Sequence, residues 1–446
     1  MKAFYFFHLM MAWLLTPLLS RAQPVPGQPL KLSLTDAIRI GLKNSLDIQS
    51  QQLTVQIADN TIRKDRSQWL PQLDGVANVR YNTQLQSTVL PEGFFGSTTP
   101  QLVQFGTKFF NQLALDATQR IINPTLRRDI RIDQKTAESE REGLRQTEAD
   151  VRLQIAEAYY AALLRKQEVA LAEKSLARSR NYLDATEAKL RLGTIQEDEL
   201  SRVQLDVQNA DIKRRRAEKN RLLSYQKLTQ VLNLSEQQPL EITDSLTTAA
   251  DEATDQADFA QLVGNRPEVR SALLDTELAR LRYDRAAQGQ SPTLSAYANY
   301  SALYQRNDLD LFGRRSWTPF NYIGLQLNVP LFDRYATRFS KQEFALRQQV
   351  SARNLEKQKR TVYYDLQSAQ TDLHNARLNL QYARENYQLA NQVYQVNQAK
   401  YRLGTLLYND LLNVEKSLEE AETNLLTSTY DLLLAKVRWQ KASNQF

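Results

Sequence analysis

The sequence predicts a mainly α-helical protein with membrane β-strands: long antiparallel coiled-coil helical hairpins plus four strands per chain. Three observations carry that expectation: an internal two-fold repeat, a scarcity of turn residues, and two hydrophobic periods that alternate along the chain. The motif Arg191-Leu192-Gly193-Thr194 returns as Arg402-Leu403-Gly404-Thr405. Asn44 and Asn265, and likewise Pro71 and Pro292, lie 221 residues apart (265 − 44 and 292 − 71). Gly193 and Gly404, Leu200 and Leu411, and Ala210 and Ala421 lie 211 apart (404 − 193), so the first half carries an insertion of about ten residues between its proline and its motif.

With 446 residues and only 13 Gly and 13 Pro, the chain has few turns available, so its elements are long. A hydrophobic fraction of 42% and a mean hydropathy of −0.53 exclude a bundle of membrane helices, because no segment after the leader offers about 20 apolar residues in succession. Any membrane span is then made of strands. Lys and Arg number 57 against 50 Asp and Glu, with the signs interspersed, which describes a solvated or ion-paired surface and no nucleic-acid partner. Residues 1–22 read as a secretory signal peptide: Lys2, an apolar run, then Ser20-Arg21-Ala22 with small residues at −3 and −1 of a cut before Gln23. There is no cysteine, which leaves neither disulfides nor a lipidated Cys, so membrane attachment falls to the fold itself.

The helices are read from a seven-residue seam. Ile155, Ala162, Val169, Leu176, Leu183 and Leu190 keep that interval through a stretch with no proline after Pro124. Leu366, Leu373, Leu380, Tyr387, Tyr394 and Tyr401 repeat it in the second half. A 3.5-residue period held over five heptads supercoils against partner helices, and some 66 residues at about 1.5 Å each give about 100 Å of helix. After each Gly a helix returns, with Leu200, Val203, Val207 and Ala210 in one half and Leu411, Leu418, Leu425 and Leu432 in the other. The run Lys213-Arg214-Arg215-Arg216 reads as a solvated face, since consecutive helical residues point about 100° apart and make no single patch.

The strands are read from a two-residue period. Leu73, Ala77, Val79 and Tyr81 alternate with Gln72, Asp74, Asn78 and Arg80; Leu113, Leu115 and Ala117 alternate with Gln112, Asp116, Thr118 and Arg120. In the second half Leu294, Ala296, Ala298 and Tyr300, then Ile323, Leu325, Leu327 and Val329, do the same. Strands of about eleven residues tilted about 45° span hydrocarbon about 25 Å thick, and Trp69, Tyr81, Phe109, Phe110, Tyr304, Trp317, Phe320 and Tyr322 cluster near their ends as interfacial aromatics do. Four strands cannot close in lipid without unpaired edges, so chains pool them. Two chains would give eight strands and a filled bore; three give a trimeric twelve-stranded transmembrane barrel that can stay open. Residues 83–108 and 305–319 are expected as loops on the outer side, the first holding the insertion.

With its repeat, its Asn44-Ser45-Leu46 and Asn265-Arg266-Pro267-Glu268 segments and both tips, the chain from Leu34 to Ser443 resembles the TolC family of outer-membrane efflux proteins. The resemblance implies a homotrimer in the cell outer membrane with its helical tunnel in the periplasm. It further implies an exit duct for a tripartite efflux or type I secretion system, working with a periplasmic adaptor (membrane fusion protein) and an inner-membrane pump. It assigns adaptor contact to Arg191, Leu192, Gly193, Thr194, Arg402, Leu403, Gly404 and Thr405, and the periplasmic aperture to Asp410, with Asn413 where a second acid often stands. Asp410 is either part of a gate, where three copies would repel and favour a cation, or an exposed acid that stabilises a helix N-terminus.

Catalysis has little to work with, so no enzyme and no cofactor is expected. His374 is the only histidine after the leader, cysteine is absent, and neither a phosphate-binding loop nor a nucleophile elbow occurs. The rival from another class is a non-channel periplasmic coiled-coil structural or adaptor protein, which would leave the alternating strands unused. The expected division is a signal peptide at 1–22, an N-terminal extension at 23–33, a first repeat at 34–232, a polar, mildly acidic belt linker at 233–258, and a second repeat at 259–446.

Overall fold

The structure, a computed structural model, describes residues 29–93, 96, 98–246, 258–310 and 317–446. The expected signal peptide, most of the extension at 23–33 and the linker acids Asp251, Glu252 and Asp255 lie outside the described residues. In chain order the elements are β1 (Leu30–Leu32), α1 (Leu34–Asn44), α2 (Leu46–Ser67), β2 (Gln72–Tyr81), β3 (Gln86–Leu90), β4 (Gln101–Phe105), β5 (Phe109–Ile122), α3 (Pro124–Arg191) and α4 (Glu197–Val231). The second half adds β6 (Leu240–Ile242), α5 (Phe259–Asn265), α6 (Pro267–Ala287), β7 (Thr293–Arg306), β8 (Thr318–Asn328), α7 (Ala336–Arg402) and α8 (Tyr408–Ala442). They fall into two compact units. One comprises the chain up to Ser45, Val151–Asp251 and Leu373–Val437; the other comprises Leu46–Asp150, Glu252–Asp372 and Arg438–Phe446.

The second of these units holds the main sheet, in the order β2-β5-β7-β8 and antiparallel throughout. Register explains the alternation read from the sequence. Leu73, Ala117, Ala298 and Ile323 form one cross-strand row, and the next row is Asp74, Asp116, Asn299 and Tyr322. Partners across an antiparallel pair share a face, so apolar rows alternate with rows that carry the polar groups. On the polar face Asn299 Nδ2 donates to Asp116 Oδ1 at 2.6 Å and Ser301 Oγ donates to Asn299 Oδ1 at 2.7 Å. On the other face Leu73, Leu113, Leu115, Ile323, Leu325 and Leu327 are exposed, a placement water would not tolerate in such a contiguous band. The interval 83–108 is not a plain loop: β3 and β4 pair there as a separate antiparallel hairpin, from Gln86 opposite Phe105 to Leu90 opposite Gln101. The matching connection between β7 and β8 spans only 307–317, so the insertion in the first half is this hairpin.

In the first unit, β1 pairs in parallel with β6, Leu30 opposite Leu240 and Leu32 opposite Ile242. Tyr159 of α3 lies beneath them, its hydroxyl 2.7 Å from Asp244 Oδ2 and 3.1 Å from the Leu32 carbonyl, while Leu34 N–H donates to the same Asp244 oxygen at 3.0 Å. The linker is thereby tied to the start of α1. Gly41 of α1 suits this close packing, because a Cβ there would crowd the side chains of Ile155 and Leu232.

The coiled-coil spacing is clearest in α7, where Val362, Leu366, Ala369, Leu373, Ala376, Leu380 and Ala383 are buried at alternating steps of four and three. In α3, Ile155, Ala162 and Leu176 of the expected seam are buried, whereas Val169, Leu183 and Leu190 are half-buried. Toward the tip the deeply buried residues are instead Ser175, Ser179, Tyr182 and Thr186, one turn-face over from the leucines. The second hairpin supplies the reason, because its polar and aromatic side chains meet that face.

Candidate functional site

The two tips are built by one solution used twice. Gly193 N–H donates to the Leu190 carbonyl at 2.9 Å and Thr194 N–H to the Lys189 carbonyl at 3.0 Å, while Gly404 and Thr405 do the same to Tyr401 at 3.1 Å and Lys400 at 3.0 Å. This is a Schellman ending, which needs a left-handed residue at its turn. Gly193 has φ of 71° and Gly404 of 77°. The threonine hydroxyls add a second donor to the same lysine carbonyls, at 2.9 and 3.1 Å. Turn formation thus uses Gly and Thr of each motif and leaves the side chains of its Leu and Arg with no part in it. Leu192 is 78% exposed and Leu403 80%.

Beyond the turns the two hairpins diverge. The first continues into Glu197, Asp198 and Glu199, three acids in the opening turn of α4, whereas the second continues through Leu406 and the exposed Leu407 into α8. Asp410 and Asn413 are both exposed and three residues apart on α8, so they share one face. The opposite seam of α8 holds Tyr408, Leu411, Glu415, Leu418 and Glu422, all buried. Each tip therefore presents an exposed Arg-Leu pair, and α8 keeps Asp410 and Asn413 apart from its buried seam.

That seam contains the group that the seven-residue pattern missed. Arg178 of α3 donates through Nε to Glu415 Oε1 at 3.0 Å and through its Nη atoms to Glu422 Oε2 at 3.3 Å, and Lys174 Nζ donates to Glu422 Oε1 at 2.6 Å. Burial pushes the Glu415 carboxyl up, with the Arg178 charge opposing it. One turn nearer the tip, the Tyr182 and Tyr394 hydroxyls lie 2.6 Å apart, Tyr408 donates to Asp206 Oδ2 at 2.9 Å, and Lys189 Nζ sits 3.9 Å over the Tyr401 ring. Tyr182, Val203, Tyr394, Tyr401, Tyr408, Leu411 and Leu418 form one core cluster, so both hairpins share a core immediately behind their tips. Acids at heptad core positions facing a basic residue were the available signal. Three residues of the basic run at 213–216 are ion-paired: Lys213 with Glu419 at 3.1 Å, Arg214 with Asp211 and Glu218, each at 3.2 Å, and Arg215 with Asp211 at 2.7 Å.

Among the described residues the sheet has a free edge at β2 and another at β8. No described helix is long and apolar enough to cross a membrane, and no described group of three or more acidic, His or Cys side chains could hold a metal ion. The model of the outer membrane efflux protein family matches residues 37–234 and 259–445, most of the chain.

The chain belongs to that family. No curated protein sequence matches it. Among solved structures it is similar to CusC, whose crystal structures concern folding and transmembrane channel formation, at 16% identity and a TM-score of 0.77, with 95% of each chain covered. It is similar to the MtrE outer membrane channel of Neisseria gonorrhoeae in its open state, at 15% identity and a TM-score of 0.74, covering 92% of this chain and 88% of that one. The CmeC outer membrane channel of Campylobacter jejuni gives 16% identity and a TM-score of 0.71, covering 92% and 85%. The protein is accordingly an outer-membrane efflux duct with a periplasmic helical tunnel, and the family's channels are trimeric; the reading as a coiled-coil spacer or adaptor falls away. Family and fold are those of transport channels and not of enzymes.

Proposed function

We propose that three copies of this chain close a twelve-stranded barrel by pairing β8 of one copy with β2 of the next, and that the resulting duct receives substrates from a periplasmic adaptor coupled to an inner-membrane pump. The open-edged sheet carries this reading. Its strands alternate in direction, so β8 meets the β2 of a neighbour antiparallel, and closure satisfies the edge groups that lipid would leave unpaired. The division into two repeats joined by a belt linker at 233–258 belongs to the same proposal.

The tips are the surface the adaptor reads. Arg191, Leu192, Arg402 and Leu403 are exposed side chains that the turns do not need, and exposed leucines at the ends of long helices suit docking of another helical hairpin. Gly193 and Gly404 keep backbone bare there, since a Cβ on either would meet nothing within 4 Å, while Thr194 and Thr405 hold the turn. Asp410 and Asn413 line the periplasmic aperture, one carboxylate and one amide per chain. The aperture therefore carries three formal charges in the trimer, and a divalent cation bound among them would narrow the flow.

The test is single-channel conductance of detergent-purified protein in a planar bilayer, with the mass of the assembly measured on the same sample. Steady pores from a species of three chains are expected, and Asp410→Ala should weaken block by divalent cations. A single-chain species without pores would overturn the proposal.

A further inference from the structure

The junction from β8 into α7 breaks two local rules at once. Arg334 has φ of 54° and Tyr335 of 62°, two successive side-chain-bearing residues in the left-handed region. The other two described non-glycine residues with positive φ are Asn233 and Asn444, a type that tolerates this region. Glycine would adopt both positions without strain. Arg334 and Arg338 also place cations beside the start of α7, whose first turn contains no acid, although helix N-termini favour anions. The helix end itself is already served by Asp333, which accepts from Thr337 N–H at 2.8 Å. Side chains held in a costly backbone conformation, with their cations at a helix start that favours anions, point outside the chain.

Their surroundings identify the outside. Ile323, Leu325, Leu327, Val329 and Leu331 share one parity, all are exposed, and Leu331 is the most exposed at 91%. Exposed apolar residues therefore continue past the end of β8 at Asn328 to the junction. There Phe332 and Tyr335 meet edge to face with centroids 5.7 Å apart, and Phe339 is exposed on the first turn of α7. Aromatic rings beside arginines at the end of a membrane strand suit the headgroup level of a bilayer. The corresponding junction of the first repeat is built otherwise: Asn123 caps α3 by accepting from Leu126 N–H at 3.0 Å, Pro124 follows, and neither has positive φ.

We infer that Leu331, Phe332, Arg334, Tyr335, Arg338 and Phe339 form a binding site for an anionic phospholipid of the periplasmic leaflet, one per chain, with the arginines on its phosphate and the rings beside its acyl chains. The site rests on β8 lying in the membrane and not on the adaptor or the aperture, so it stands or falls separately from them.

Native mass spectrometry of the detergent-purified assembly, given phosphatidylglycerol or phosphatidylethanolamine, tests it. Two interfacial arginines predict a preference of about thirtyfold for the anionic lipid. The double variant Arg334→Gly, Tyr335→Gly should melt no lower than the parent in lipid-free detergent and lose the preference; Arg338→Gln, at an ordinary helical position, should reduce it severalfold. Arg127→Gln, at the first-repeat junction, should leave it intact. Equal retention of the two lipids, a preference that survives in the glycine variant, or equal loss on Arg127→Gln would overturn the inference. So would dissociation of the glycine variant into single chains, which would assign this face to contact between copies.

Discussion

The two repeats share a backbone plan and differ in what they show to the exterior. Both pair a strand hairpin with a long helix, a Schellman turn and a returning helix of 35 residues, and their turn glycines differ in φ by only a few degrees. They diverge where a side chain leaves the fold: acids after the first tip and leucines after the second, an added hairpin in one outer connection, a regular Asn-Pro cap at one strand-to-helix junction and a left-handed Arg-Tyr pair at the other. Duplication preserved what the chain needs in order to fold, and the differences mark what each half meets.

The strongest way to break that comparison is to cut what joins the halves. Arg178→Ala removes the cation that pairs with both Glu415 and Glu422 in this buried seam and is expected to cost about 3–5 kcal/mol in reversible unfolding. Lys213→Ala removes a more exposed pair to the same helix and should cost no more than about 1 kcal/mol. Similar losses from both would show that the seam is not a distinct interior.

Next come the tips. Leu192→Glu and Leu403→Glu should leave melting and conductance unchanged while export by cells falls, each by about thirtyfold if either leucine anchors the partner with about 2 kcal/mol. Unequal losses would rank the two tips and connect their different flanks to different partner surfaces. Gly193→Ala and Gly404→Ala test the shared part instead, and each should cost about 1–2 kcal/mol for a side chain in the left-handed region, with the two values alike.

The smallest effect is a pH dependence found in the first half. Asp133 of α3 is pushed up to about 6 by burial and by the Asp65 carboxyl, with Asp129 adding to it. The folded state then holds this proton more tightly than the unfolded chain between about pH 4 and 6, so the group's contribution to stability falls as pH rises through that window. Asp133→Asn should raise the melting temperature at pH 7 and leave it nearly unchanged near pH 4. An identical gain at both pH values would remove the proton from the explanation.

Much of this was legible in the sequence because it is periodic. Alternation located all four strands of the main sheet, and the repeated motif located both turns. Glu415 and Glu422 were missed because polar residues at core heptad positions look like solvated ones until their partners across the hairpins are known. The hairpin of β3 and β4 was read as loop because its five-residue strands carry too little alternation to register. Arg334 and Tyr335 bear no compositional mark of a left-handed backbone, which only the chain's path reveals.

The central claim is that copies of this chain close the sheet by joining β8 to β2. A chain without cysteine allows the direct measurement: Ile323→Cys on β8 combined, one at a time, with cysteines along the same-facing residues of β2, Leu73, Gly75, Ala77 and Val79, followed by oxidation in membranes and denaturing electrophoresis. The account predicts that at least one combination yields a covalent species of three chains. Chains that stay single at every combination, with β8 and β2 free of each other, would contradict it.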